Sequence, residues 1–497
     1  MLKQSPWLIG SVLLLNACLP SVGSKTYDLQ FDPSDYKSAT AEVNGKVVRY
    51  RAYEGIVYVQ HPVDTKYQSM NIYVPEEYFE GKSIGAFTAQ TAPIFLPNQV
   101  GGYMPAEPGK PSMQTRPGAT TSSPNAILVA LSRGYVVASP GARGRTTKDA
   151  DGSYTGKAPA AIVDLKAAVR YLRYNDASMP GNAEKIISNG TSAGGALSLL
   201  LGASGNNPDY EPYLAALGAA PARDDIFAVS AYCPITNLEN ADAAYEWQFS
   251  GVNQYQRLQI TRDTSFQIQR NLVSGTLTAE EIALSEALKS LFPTYLNGLQ
   301  LRTGDGRLLT LNPDGSGSFK DYVASLLQAS AQKALEAGQD LSQIDWLTVQ
   351  NNRVVAVDFD RYVRAIGRMK VPPAFDGLSL DTAENELFGT SMVNARHFTA
   401  FSLQRSKVQG TLAPAQIVRM MNPLNYLGAT GTQSAKYWRI RHGTADRDTS
   451  LAVPVIMATK LQNAGYAVDF ALPWNQGHGG DYDLDELFAW MDKISIQ

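Results

Sequence analysis

Ile186-Ile187-Ser188-Asn189-Gly190-Thr191-Ser192-Ala193-Gly194-Gly195-Ala196-Leu197-Ser198-Leu199-Leu200-Leu201 is the stretch on which the reading turns. A β-branched run enters a cluster of small residues and leaves as a Leu-rich helical run. That order is strand, tight turn, helix. Within the turn, Gly190-Thr191-Ser192-Ala193-Gly194 is a G-x-S-x-G pattern. Small residues there let the backbone turn sharply and lift the Ser192 hydroxyl above the end of a sheet. The pattern alone is weak, because a chain with 41 Gly meets it by chance, and a glycine-rich helix start is the bland reading. The strand before it and the helix after it give it weight.

Outward from this turn, strand and helix signals alternate. Val47–Tyr53 and Ile56–Gln60 suggest a hairpin around Glu54-Gly55. Met70–Val74, Ala92–Leu96 and Tyr135–Ala138 read as short buried strands. Between Ile162 and Arg173, residues Ile162, Leu165, Ala168, Val169 and Leu172 share one helical face. Strands separated by helices imply the α/β class, with a mainly parallel sheet covered on both faces. The middle of the chain differs. Thr278-Ala279-Glu280-Glu281 is a capping box ahead of Leu284, Leu288 and Phe292, and Tyr322, Val323, Leu326 and Leu327 mark another amphipathic helix. Asp305-Gly306 and Asp314-Gly315 flank Leu308–Leu311 as a small hairpin. The βα pattern resumes at Lys436–Arg441 and Ala467–Leu472, then ends in a helix carrying Leu484, Leu487, Phe488 and Met491. The 497 residues would allow about three domains. The expected organisation is one α/β domain in two parts, residues 26–232 and 423–497, interrupted by a lid or insertion at 233–422.

Composition excludes several classes. With 44% hydrophobic and 18% charged residues, the chain can bury a core and is not intrinsically disordered. Forty-three basic against 46 acidic residues leave no excess positive charge to grip a phosphate backbone, so nucleic acid is not expected as a partner. Two Cys support neither a disulfide scaffold nor a four-thiolate zinc site. Lys3 followed by the apolar run Trp7–Leu15, too short to span a bilayer, makes residues 1–25 a signal peptide. Leu15-Asn16-Ala17-Cys18 resembles a bacterial lipobox, which implies export and membrane attachment through a lipidated Cys18. Ordinary cleavage near Ser21-Val22-Gly23 is the alternative. Cys233 then has no partner and reads as a buried apolar thiol. Asp149-Ala150-Asp151-Gly152 begins like a calcium loop, but Tyr154 takes the required Gly position and Ala160 the required Glu position, so it reads as a turn. No cofactor, metal or obligate protein partner is expected.

A serine hydroxyl needs a base, and the base needs a carboxylate to fix its tautomer, in the chain order Ser, Asp, His on such a sheet. Of four His, His61 precedes the serine, His397 sits in the inserted region, and His442 precedes the acid candidates. His478, in Gln476-Gly477-His478-Gly479-Gly480 between a strand and the last helix, stands where the base belongs. Asp446-Arg447-Asp448 follows a strand and offers two acids. Asp446 is assigned to His478 and Asp448 to substrate, although either could serve only as a loop cap. The Ala193 amide, directly after the nucleophile, supplies one oxyanion donor, and the loop Val100-Gly101-Gly102-Tyr103 can supply the second.

Asn189–Gly195, Arg439–Gly443 running into Asp446–Ser450, Gly479–Leu484, Asp225–Pro234 and Tyr245–Phe249 together resemble the bacterial tannases over nearly everything after the signal segment. The resemblance implies an α/β-hydrolase with a large lid that cleaves galloyl esters through an acyl-enzyme. It implies a triad of Ser192, Asp446 and His478, with oxyanion amides at Gly102 and Ala193. It also implies that Lys370, Glu384 and Asp448 hold the galloyl hydroxyls, with Glu386 a competitor for Glu384 that spacing leaves open. Phenols donate well to carboxylates and accept from an ammonium, so these residue types suit the ring. The rival expectations are a feruloyl or other aromatic-acid esterase of the same fold, and a surface lipoprotein that binds polyphenols without cleaving them.

Overall fold

The computed structural model describes residues 25–115, 121–262 and 268–496, so Cys18 and its expected signal lie outside the described residues. The central sheet has nine strands: β1 (Lys37–Val43), β2 (Lys46–Val57), β3 (Ser69–Pro75), β4 (Pro93–Pro97), β5 (Val136–Pro140), β6 (Asn182–Thr191), β7 (Ala228–Tyr232), β8 (Tyr437–Arg441) and β9 (Ala467–Ala471). They are ordered β1-β2-β3-β5-β4-β6-β7-β8-β9. The pairings β1-β2, β2-β3 and β3-β5 are antiparallel, and every later one is parallel. Strands β4, β5 and β7 are buried along their whole length, which is why they are apolar runs without alternation. Helix α1 (Ala160–Tyr174) packs beside α2 (Ala193–Ala203), and α2 lies across β6 and β7.

Two local expectations fail. Glu54-Gly55 makes no hairpin; the chain runs on as β2, with an irregular register between Tyr53 and Ile56 where Gly55 takes φ +76°. The turn is instead Asn44-Gly45, both left-handed at φ +51° and +79°, joining β1 to β2. Two successive positive φ values are what a two-residue hairpin needs. Its partner strand Lys37–Val43 is mostly exposed and polar, which hides it from a search for apolar runs. Leu308–Leu311 forms no strand either, and its pairing is a single antiparallel bridge from Leu308 to Arg302 across the Asp305-Gly306 turn. Its Leu309 N–H bonds to Leu301 O, Thr310 O accepts from Phe319 N–H, and Leu309 and Leu311 anchor in the core.

Between β7 and β8 the chain leaves the sheet. This stretch holds α3 (Leu238–Phe249), α4 (Ala279–Gly298) and α5 (Ser318–Glu336), and Thr278 and Glu281 form the expected reciprocal cap on α4. A two-stranded ribbon pairs Gln254–Arg262 with Ile268–Thr276. Helix α3 is the seam. It packs on α4 and on α6 (Ala452–Asn463), which covers the sheet, and its Trp247 meets the rings of Phe292, Phe319 and Phe359. The inserted stretch and the sheet therefore share one apolar core.

Candidate active site

Ser192 sits between β6 and α2 at φ +59° and ψ −123°, with its N–H bonded to Tyr232 O at 2.9 Å. A non-glycine residue held there costs about 1–3 kcal/mol and persists only when its surroundings enforce it. They do. A Cβ on Gly190 would lie 2.3 Å from Gly194 O, and one on Gly194 would lie 2.6 Å from Val100 O, so close backbone approach demands both glycines. Asn98 ties the turn to the neighbouring loop: its Nδ2 donates to Asn189 O and Gly194 O, and its Oδ1 accepts from Val100 N–H at 3.2 Å. The same loop carries Gly101, which lines a cavity with Ser192, and then Gly102, at φ +54°, whose carbonyl Arg145 Nε holds at 2.8 Å. Ala193 heads α2, where the first amides have no intrahelical acceptor. A cavity of about 320 Å³ opens beside Ser192, Gly101 and Asn189.

The structure brings Asp446 and His478 together. His478 Nδ1 lies 2.9 Å from Asp446 Oδ2, and Asp446 Oδ1 accepts from the Asp448 N–H at 2.9 Å. Burial pushes the Asp446 carboxyl up, but the imidazoles of His442 and His478 outweigh it and hold the group well below the carboxylate range. Burial likewise works against a charged His478. Its bond to Asp446, the Cys233 thiol and the charges of Asp446 and Asp448 prevail, so its pKa stands above the ordinary imidazole value. Asp483, on the same loop, accepts from the Tyr232 hydroxyl at 2.6 Å and pairs with Arg439, while Asn189 Nδ2 donates to Asp481 Oδ1 at 3.0 Å. Among the described residues no hydrogen bond joins Ser192 Oγ to His478. Such contacts commonly tighten only when substrate is bound.

Beside His478 Nε2, at 3.9 Å, stands Asp448 Oδ2, which also pairs with Lys370 Nζ at 3.1 Å. Glu384, on the short helix Ala383–Leu387, is buried within electrostatic reach of both. Burial pushes its carboxyl up against the pull of the Lys370 cation. Glu386, the competitor for Glu384 in sequence, pairs with Arg145 and accepts from Asn394 Nδ2. The inserted stretch thus contributes Lys370 and Glu384, and the strand-end loop contributes Asp448. Of the other histidines, His397 is buried between Asp376 at 2.7 Å and Ser406 at 2.8 Å. His61 takes part in a backbone bond to Leu217 O.

Sequence reasoning missed the residues that hold this arrangement in place. The buried Tyr245 hydroxyl accepts from the Met369 and Lys370 N–H groups, each at 3.0 Å, and donates to Arg447 O at 3.1 Å. Next to it, Glu246 pairs with fully buried Arg368, whose Nε donates to Lys370 O at 2.9 Å. The one signal was a Glu inside the otherwise apolar run Ala243-Ala244-Tyr245-Glu246-Trp247.

Several solved structures resemble this chain closely. Tannase from Lactobacillus plantarum, in an orthorhombic crystal, is 50% identical with a TM-score of 0.90, covering 94% of this chain and 100% of that one. Fusobacterium nucleatum tannase is 54% identical with a TM-score of 0.89, covering 94% and 100%. A tannin acyl hydrolase in complex with ethyl gallate is 51% identical with a TM-score of 0.87, covering 94% and 99%. The BD-FAE family, a family of α/β-hydrolases, matches residues 114–269. No curated protein matches the chain.

Proposed function

The chain belongs to the bacterial tannases, α/β-hydrolases that cleave galloyl esters, and we propose that it does so through a galloyl-enzyme formed on Ser192. Ser192 attacks the ester carbonyl while His478 Nε2 takes its proton. His478 then returns the proton to the leaving alcohol, and water repeats the sequence on the acyl-enzyme. Asp446 orients the imidazole, and the amides of Gly102 and Ala193 stabilise the oxyanion. Lys370, Glu384 and Asp448 hold the ring hydroxyls, with the inserted residues 233–422 acting as the lid that carries two of the three. The observation that carries this reading is the buried Asp446 carboxylate on His478 Nδ1, beside a serine held in a strained elbow.

Ser192→Ala tests it. The variant should bind gallate and lose roughly 10⁴–10⁶ in kcat on methyl gallate; substantial residual hydrolysis would refute the assignment. We also propose export to the cell envelope or beyond, with Cys18 as the lipid anchor, on the strength of the apolar run before Leu15-Asn16-Ala17-Cys18. Mass spectrometry of the mature N-terminus checks it: a diacylglyceryl Cys18 is expected, an unmodified start near Val22 refutes the anchor, and an uncleaved Met1 refutes export by this signal.

A further inference from the structure

Behind His478 three side chains of metal-binding type converge. Cys233 follows β7, His442 follows β8, and Asp446 lies four residues further on. The Cys233 sulfur, a His442 ring nitrogen and an Asp446 carboxylate oxygen lie within 4.8 Å of one another, and all three residues are buried. His442 Nε2 stands 3.7 Å from Asp446 Oδ2, beyond hydrogen-bond distance, and neither of its ring nitrogens has a hydrogen-bond partner among the described residues. An unpaired buried polar group costs about 1–3 kcal/mol, so an imidazole with both nitrogens unpaired calls for an explanation.

Its neighbours supply one. Thiolate, neutral imidazole and carboxylate form a donor set that suits zinc and softer cations, whereas magnesium and calcium take oxygen ligands. In a tetrahedral zinc site, bonds of about 2.0–2.3 Å place ligand atoms about 3.4–3.6 Å apart. Separations of up to 4.8 Å must close by about 1 Å on coordination, and the Cys233 thiol must give up its contact with Gly479 O at 3.3 Å.

We propose that Cys233, His442 and Asp446 form an inhibitory site for a soft divalent cation, zinc or cadmium. Coordination sends the thiol proton to solvent and draws the Asp446 carboxylate away from His478 Nδ1, leaving the imidazole unoriented. Loss of the oriented base lowers kcat. The inhibitory consequence rests on the triad reading above; the binding does not.

The test titrates zinc or cadmium chloride into the full chain while following methyl gallate hydrolysis and ultraviolet absorption. Inhibition should be reversed by EDTA, should not occur with magnesium, and should accompany a cadmium–thiolate charge-transfer band. Cys233→Ala should still hydrolyse methyl gallate, require roughly tenfold more cation for inhibition, and lack the band, which excludes Cys18 as its source. Ser192→Ala should bind cadmium as tightly as the parent chain, so binding is measured even if the assigned chemistry fails. Undiminished inhibition in Cys233→Ala overturns the proposal. So does an unchanged ultraviolet spectrum in Ser192→Ala, which would leave buried water as the partner of His442.

Discussion

Replacing Tyr245 by Phe removes one oxygen and leaves the ring in its packed place against Phe249 and Phe375. That oxygen accepts from two backbone N–H groups, Met369 and Lys370, and donates to the Arg447 carbonyl. It therefore uses both lone pairs and its proton, and it ties the strand-end loop of Asp446 and Asp448 to the segment bearing Lys370. At about 1 kcal/mol net for each bond, the loss is about 3 kcal/mol. Two N–H groups left buried without an acceptor push the figure upward, while loop movement that rehydrates them pulls it down. Either outcome displaces Lys370 from Asp448, which it meets at 3.1 Å in the intact chain. Urea unfolding should report the stability loss. Steady-state kinetics should show kcat/KM falling more for methyl gallate than for p-nitrophenyl acetate, which has no ring hydroxyls for Lys370 and Asp448 to hold. A change in stability below about 0.5 kcal/mol, less than a single net hydrogen bond, with an unchanged ratio of the two substrates, would refute the hub role.

Asp448→Asn removes a charge 3.9 Å from His478 Nε2, one of those holding the imidazole above its ordinary pKa. Catalysis needs the neutral base, so a raised pKa places the acid limb of kcat/KM at higher pH, and the variant should shift that limb downward. Its loss of a charged acceptor, about 1.5–3 kcal/mol, should also raise KM for methyl gallate; an unmoved limb contradicts the electrostatic reading. Glu246→Gln leaves the Arg368 guanidinium buried without a counter-charge, so urea unfolding should show a loss of about 3–5 kcal/mol. A loss under 1 kcal/mol would mean that solvent or another acid reaches Arg368. Gly190→Ala drives a methyl group into Gly194 backbone and should abolish activity or soluble expression, whereas Gly101→Ala meets no atom within 4 Å and should fold normally. Circular dichroism and a methyl gallate assay separate the two.

The sequence by itself determined the elements whose constraints are local. The strand, the turn at Ser192 and the helix after it follow from a dozen adjacent residues, because a sharp turn with backbone in contact admits only small side chains. His478 and Asp446 were legible for a related reason: few histidines exist, and parallel strands deliver catalytic loops at one edge of the sheet in a fixed chain order. The Glu54-Gly55 reading failed because a bulge and a hairpin share the same residues locally, and only pairing with β3 distinguishes them. For Lys370, Glu384 and Asp448, sequence resemblance supplied the positions, while their proximity to one another came from tertiary structure. A charged residue is a solvated surface group or a buried binding group according to what other segments place around it. Lys370 meets Asp448 across 78 positions of chain, and Glu386 takes its partner Arg145 from 241 positions away. The Tyr245 hub and the unpaired His442 beside Cys233 were decided in the same way, by burial and partners that no local pattern records.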